Sequence, residues 1–414
     1  MSTDSITHKV NYLLGKSLER WWSLEPKPPQ FERPYSKREQ KANERRLQHA
    51  LDVLSSETSP LPRSEIDRQV REQRITEAWA GFAKAALRIK DRHVEALRTY
   101  GFADAAVAFA RMARRFDPGV TEDDIFQASR NLWSMNLIQL LLGLPVEITP
   151  AAFAYSMLYP YTDNYLDDPA IPGWVKKGFN HNFYRRLTGD QVQPANDQEA
   201  LIFDLVGMIE EQFDRGQYPQ VYASLSAIHE SQIRSLQLLD PQASPFEIDI
   251  LGICFAKGGA SVLADGYLVA GDLTPQQQEF VYYYGTFTQL VDDLEDIEGD
   301  LKSGLMTVFS LTARHWPLDQ LTNKTFQYGF NFLECLEQFQ SENLAPLKEM
   351  IRLSVVPLLS FLAGSVPRYY SRSYLRVIQE HFPLRFSYLN KLRKKLARQG
   401  FSPLGLVEVL AQKE

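Results

Sequence analysis

Cysteine is almost absent. The 414 residues include only Cys254 and Cys335, both in apolar stretches without metal-ligand spacing, so neither a disulfide framework nor a thiolate zinc site is expected. The two read as reduced core residues. A basic excess is missing too: 45 Lys and Arg face 51 Asp and Glu, for a net charge of −6, which argues against nucleic acid as the main partner. No stretch reaches the ~18 apolar residues of a membrane span. LWSMNLIQLLLGLPV comes closest and is too short, and the opening MSTDSITHKVNYLLGKSLERWW lacks the charged, apolar and small-residue order of a signal peptide. The expectation is an intracellular, cytoplasmic protein. Convincing alternating runs are also lacking, which argues against strands, and no fixed-period repeat suggests a solenoid.

What the chain does contain is helical spacing. Residues 1–23 place Val10, Leu13, Leu14, Leu18 and Trp21 or Trp22 on an apolar face before the prolines of LEPKPPQFERPYS, which cannot continue a helix. Further helices are expected over 37–54 and from Ser64 to Thr99. These first hundred residues carry no cluster of reactive groups and read as an N-terminal helical extension. From Tyr100 the chain turns more apolar, and Thr121 before EDD is an N-cap signal. Helices are expected near 172–187, 197–214, 218–239, 246–270, 275–300, 304–314, 318–341, 345–363, 366–381 and 384–398. Residues 100–414 therefore read as one large α-bundle, and the fold class as all-α.

One stretch carries most of the chemistry. YYYGTFTQLVDDLEDIEGDLKSG, residues 282–304, runs from aromatic to acidic. Asp292, Asp296 and Asp300 recur every four residues, one turn apart on a helix, with Asp293 beside the first. Two such charges ~4 Å apart repel by about 4 kcal/mol at an effective dielectric near 20, so the row needs water or a cation. YPYTDNYLDDP repeats the logic with Asp163, Asp167 and Asp168 behind Tyr155, Met157 and Tyr159, some 125 residues earlier. Asp167, Asp168 and Pro169 also suit a plain helix end. Hard carboxylate oxygens suit Mg²⁺ or Mn²⁺ together with phosphate and water. Cationic candidates for an anion are Lys257, in a small-residue helix with Gly258 and Gly259, then Arg368 with Tyr369, and Arg185 with Arg186. Arg111, Arg114 and Arg115 form a fourth group that more simply reads as a solvated face.

These residues resemble the class I isoprenoid synthases. From Lys257 to Gly304 the chain is similar to trans-prenyl diphosphate synthases: a lysine opens a small-residue helix ending in Ala270-Gly271, and Tyr284-Gly285, Phe287 and Gln289 lead into Asp292-Asp293-x-x-Asp296. The i, i+4, i+8 spacing of Asp292, Asp296 and Asp300 resembles instead the later metal motif of terpene synthases, some of which carry a diphosphate-sensing Arg-Tyr pair where Arg368-Tyr369 stands. The likeness covers roughly residues 150–375. Two departures count against chain elongation: no Gly-Lys-Arg type motif is evident, and Arg185-Arg186 comes late and lacks the adjacent glycine.

The resemblance implies an isoprenoid-synthase-type bundle binding about three Mg²⁺ through Asp163, Asp167, Asp168, Asp292, Asp293, Asp296 and Asp300. It implies a prenyl diphosphate held by Lys257, Arg368 and Arg185, and a carbocation among Tyr155, Tyr159, Tyr284 and Phe287 with Gln289 nearby. The leading expectation is a terpene synthase. A prenyltransferase is the alternative, followed by a non-catalytic helical binding protein and a metal-dependent phosphate-ester hydrolase. Homodimerisation is a further implication of the family. The C-terminal LNKLRKKLARQG gathers Lys391, Arg393, Lys394, Lys395 and Arg398, a basic face suited to peripheral contact with anionic lipid.

Overall fold

The computed structural model describes residues 3–58, 64–167, 170–240, 242–340 and 344–399, and among them every regular element is helical. In chain order these are α1 Thr3–Ser23, α2 Lys37–Thr58, α3 Glu65–Ala86, α4 Asp91–Thr99, α5 Phe102–Phe116, α6 Glu122–Leu141, α7 Pro150–Asp167, α8 Gly173–Thr188 and α9 Asp197–Gln212. There follow α10 Pro219–Ser235, α11 Ile250–Ala270, α12 Pro275–Glu295, α13 Ile297–Ser303, α14 Val308–Ala313, α15 Asp319–Glu334, α16 Ala345–Ser365, α17 Arg372–His381 and α18 Phe386–Gln399. Side-chain caps set several starts. Thr121 and Asp124 form a reciprocal capping box on α6, and Asn196 and Asp249 accept backbone N–H groups at the starts of α9 and α11.

Several expected helix boundaries differ from those observed. The helix from Ser64 to Thr99 is two helices, because Arg88 adopts a left-handed φ of 56° after α3. That conformation costs a non-glycine residue roughly 1–2 kcal/mol, and here the Arg88 guanidinium lies over the Tyr35 ring at 4.8 Å. The His93 ring then accepts the Lys90 N–H at 3.2 Å as α4 begins. The stretch expected from 246 starts at Ile250, where Asp249 caps it. The stretch 275–300 breaks at Asp296, between α12 and α13. Asp292, Asp296 and Asp300 therefore do not share one continuous helical face. Asp, Gly and crowded carboxylates are poor company inside a helix, and Asp296, Glu298, Gly299 and Asp300 fall together here.

The chain divides into two compact units, and the division does not fall at residue 100. Residues 1–23, 108–292 and 298–308 make the first; 24–107, 293–297 and 309–414 make the second. In the first, α11 is the central element, packed by α1, α6, α7 and α10. It is long and apolar enough to cross a membrane by length and composition, which the sequence reading missed, and 78% of its apolar window is buried inside the protein. Trp21 of α1 meets Phe255 edge-on at 6.1 Å, and Lys16 and Arg20 of α1 both pair with Glu279 of α12. The first helix is thus an integral layer of this unit.

In the second unit α2 packs on α3, and α16 on α4, α15, α17 and α18. An ion pair joins the buried Glu44 of α2 to Arg385, through two charge-assisted bonds of 2.7 and 2.6 Å. Burial opposes ionisation of Glu44, but these bonds hold its carboxyl below the usual range. Gln40 and Asn43 amides donate to the carbonyls of Gln379, Phe382 and Pro383. Residues 24–107 therefore share a core with the C-terminal helices.

Within the first unit α11 and α12 come close enough for their backbones to touch. A Cβ on Gly258 would lie 2.5 Å from the Gly285 carbonyl oxygen and 2.6 Å from Gln289 Cβ, one on Gly285 would collide with the Gly258 carbonyl, and one on Gly259 would enter the Tyr282 ring. Replacing Gly285 by Ala adds helix propensity of about 1 kcal/mol, yet the backbone clash is expected to win, with a net loss of roughly 1–3 kcal/mol in urea unfolding. A neutral or stabilised Gly285→Ala protein would show that the two backbones are not so close.

Candidate active site

Four helices of the first unit bring half-buried polar side chains to one seam. On α7, Tyr155, Tyr159 and Asp163 are spaced i, i+4, i+8; on α12, Tyr284, Thr288 and Asp292 repeat that spacing; on α11, Lys257 and Ser261 lead to Asp265; α6 supplies Gln127, Arg130, Asn131 and Ser134. Each set shares one helical face. Polar bonds tie the faces together: Ser134 Oγ donates to Tyr284 Oη at 3.3 Å, Tyr155 Oη to the Ser261 carbonyl at 3.3 Å, and Asn131 Nδ2 to Ser156 Oγ at 3.3 Å and Asp265 Oδ1 at 3.1 Å. The seam runs from the exposed Arg130 and Tyr159, past the half-buried Asn131, Ser134, Tyr155 and Tyr284, to the fully buried Asp265.

The acids Asp163 and Asp292 both lie near Tyr159 at the outer end of the seam. Arg130 pairs with Asp292 at 3.0 Å, and Gln232 of α10 donates to Asp163 Oδ1 at 2.8 Å. Tyr159 links them. Its phenol is held above the ordinary value by lost hydration, then by the charges of Asp163 and of Asp292, with Arg130 and a bond to Gln127 opposing. Because 41% of Tyr159 faces solvent, the identity of these neighbours counts for more here than the size of their effect. Two carboxylates far apart in the chain act on one phenol.

No protein-family model matches the chain, and no curated protein matches it. The chemistry of the residues therefore has to carry the assignment. Among the described residues no three His, Cys, Asp or Glu side chains form a preformed metal shell. The donor set is two hard carboxylates beside amide and phenol oxygens, which fits Mg²⁺, an ion that takes one or two carboxylates and fills its octahedron with water and phosphate oxygens.

The other expected site residues fall in several environments. Asp168 lies outside the described residues, as does the side chain of Asp167. Asp293 and Asp300 are buried, whereas Asp296 is exposed at the break between α12 and α13. Phe287 is buried in the core, and Gln289 packs its Cβ against Gly258. Arg185 pairs with Asp190 at 2.8 Å at the end of α8; that helix end, with Gly189 in a left-handed turn, is what the side chain serves. Arg368 stacks over Tyr369 and donates to its hydroxyl, and both belong to the second unit. Lys391, Arg393, Lys394 and Lys395 are exposed on α18; the side chain of Arg398 and residues 400–414 lie outside the described residues.

The sequence reading missed Arg130, Gln232, Asn131 and Asp265. Only Asp265 left a trace: it is the one acid within the apolar α11, two turns beyond Lys257. It is fully buried, its Oδ2 has no hydrogen-bond partner, and burial raises its carboxyl well above the usual range despite the Asn131 bond. The folded protein thus holds a proton there that the unfolded chain loses above about pH 4. Stability contributed at this position falls as pH rises past that value. Asp265→Asn is therefore expected to gain stability over the wild type at pH 7, with the gain vanishing below about pH 4. Urea unfolding at both pH values checks the sign, and a gain that grew on acidification would contradict a neutral carboxyl.

Proposed function

We propose that this protein is a Mg²⁺-dependent terpene synthase of the class I isoprenoid-synthase type, which ionises an allylic prenyl diphosphate and lets the carbocation cyclise or rearrange before release. The observation that carries this reading is the pair of matching helix faces, Tyr155-Tyr159-Asp163 and Tyr284-Thr288-Asp292, each running from aromatic to acidic, with Arg130 on Asp292 at 3.0 Å and Gln232 on Asp163 at 2.8 Å. A bound divalent cation supplies Lewis-acid charge to the diphosphate oxygens. Asp163 and Asp292 are the carboxylates best suited to hold it, with Asp167, Asp168, Asp293, Asp296 and Asp300 as the remaining acids of the two motifs.

This chain's own residues have definite tasks under that reading. The Arg130 guanidinium rests on Asp292 and can turn its donors to an incoming diphosphate, as a planar fork suits phosphate. Lys257, on the α11 face that carries Ser261, adds a second cation. Gln232 fixes the orientation of Asp163. Tyr155 and Tyr284, their hydroxyls engaged by Ser261 and Ser134, leave ring faces whose quadrupoles stabilise a nearby carbocation. The buried interior beyond them keeps water from the cation.

Incubation with Mg²⁺ and geranyl, farnesyl or geranylgeranyl diphosphate is expected to give hydrocarbon or alcohol plus free diphosphate. A longer diphosphate formed only in the presence of isopentenyl diphosphate would make the enzyme a prenyltransferase instead. No Mg²⁺-dependent turnover of any of the three would leave a helical binding protein. Asp163→Asn and Asp292→Asn are each expected to lower diphosphate release by about a hundredfold, the scale for losing one electrostatic element of a site. Unchanged release from both variants would remove the two carboxylates from the site.

A further inference from the structure

The reading above uses the outer end of the seam and leaves its inner end without a task. There Asp265 is buried completely, in a largely apolar helix whose other charged residue is Lys257. A packing role needs no carboxyl, since leucine or asparagine fills that volume without the cost of desolvating an acid. Asp265 Oδ1 accepts from Asn131 Nδ2 at 3.1 Å, and Oδ2 has no partner. In the neutral acid the proton therefore sits on Oδ2, the oxygen that has nothing to donate to. The titratable groups that α7 and α12 bring to Asp265 are the phenols of Tyr155 and Tyr284. Each is held high by lost hydration, with the Asp265 charge adding to it. On α6, Asn131 is the group that favours the ionised form of the acid.

We propose that Asp265 is an internal proton donor and acceptor of this site, acting on a carbon–carbon double bond of an apolar olefin held in the seam. This rests on the prenyl diphosphate reading and adds a step after ionisation. The carbocation left by ionisation loses a proton to the released diphosphate and becomes a neutral olefin; the olefin π pair then takes the proton from Oδ2, forming a C–H bond at one alkene carbon and leaving a carbocation at the other, more substituted one. The O–H electron pair stays on Asp265, whose carboxylate keeps the Asn131 bond at Oδ1. Transfer of a proton from a carbon next to the cation back to that carboxylate forms a new double bond and restores the acid. Atoms and charge balance with no co-reactant, and the net change is isomerisation or ring closure. A neutral olefin lost at this point in a wetter site is here protonated again.

The test is turnover of unlabelled substrate in deuterium oxide, with the deuterium in the product counted per diphosphate released. Wild-type product is expected to carry solvent deuterium on carbon. Asp265→Asn preserves volume and the Asn131 bond and is expected to lower that count by about a hundredfold, the scale of a positioned general acid. Diphosphate release by the wild type without label in the product overturns the proposal and leaves the synthase reading standing, as does undiminished label in Asp265→Asn. Absence of diphosphate release overturns the synthase reading, and this proposal with it. Should Asp265→Asn fail to fold, isotope-edited infrared spectra of the wild type at neutral pH still decide. A protonated carboxylic-acid band from a buried aspartate is expected, and carboxylate bands alone would overturn the proposal.

Discussion

Two backbones touching at Gly258 and Gly285 are the constraint on which the site depends. With no Cβ on either residue, α11 and α12 approach until the carbonyl of one would lie inside the side chain of the other. That approach sets the face with Lys257, Ser261 and Asp265 beside the face with Tyr284, Thr288 and Asp292. A pair of alanines would force the helices apart, and the bonds that α6 and α7 make to both partners could not all form. The interior transmits such shifts because it is packed at crystal-like density.

Electrostatics then sort the seam into two ends with opposite behaviour. At the outer end, Arg130 pairs with the Asp292 carboxylate and Gln232 donates to Asp163. At the inner end, complete burial with one amide hydrogen bond favours the neutral acid of Asp265. The tyrosines between them are neutral spacers, each anchored through its hydroxyl or bordered by carboxylates, and all harder to ionise than a free phenol.

How much of this was legible in the sequence depended on range. The aromatic-to-acidic helix that carries Asp292 and its counterpart that carries Asp163 could be read because both signals are local and periodic. The cap at Thr121 was legible for the same reason. The break at Asp296 was not, because a four-residue period of acids looks the same whether a helix continues or bends. Neither Arg130 nor Gln232 could be picked out: each is one polar residue on an ordinary helix, and its partner lies 162 or 69 positions away. The first hundred residues, which read as an N-terminal helical extension, are divided between the two compact units. Trp21 and Glu44 find their partners in different parts of the chain, Phe255 and Arg385, and such long-range pairings leave no local pattern.

Gly258 and Gly259 show where local reading and tertiary structure join. Two glycines in a helix cost it about 2 kcal/mol in propensity, so their presence in α11 calls for something that approaches closely, either a ligand or another backbone. Here it is a backbone for Gly258 and an aromatic ring for Gly259. The polar side of α11 is therefore not the glycine side but the next stripe around, where Lys257, Ser261 and Asp265 follow one another at i, i+4 and i+8. Small residues fix how near the helices come, and the polar stripe beside them inherits its position from that distance. The spacing of Asp265 from Asn131 is thus tied to the glycine contact: a change at Gly285 reaches the acid through the helix it displaces, without touching either residue.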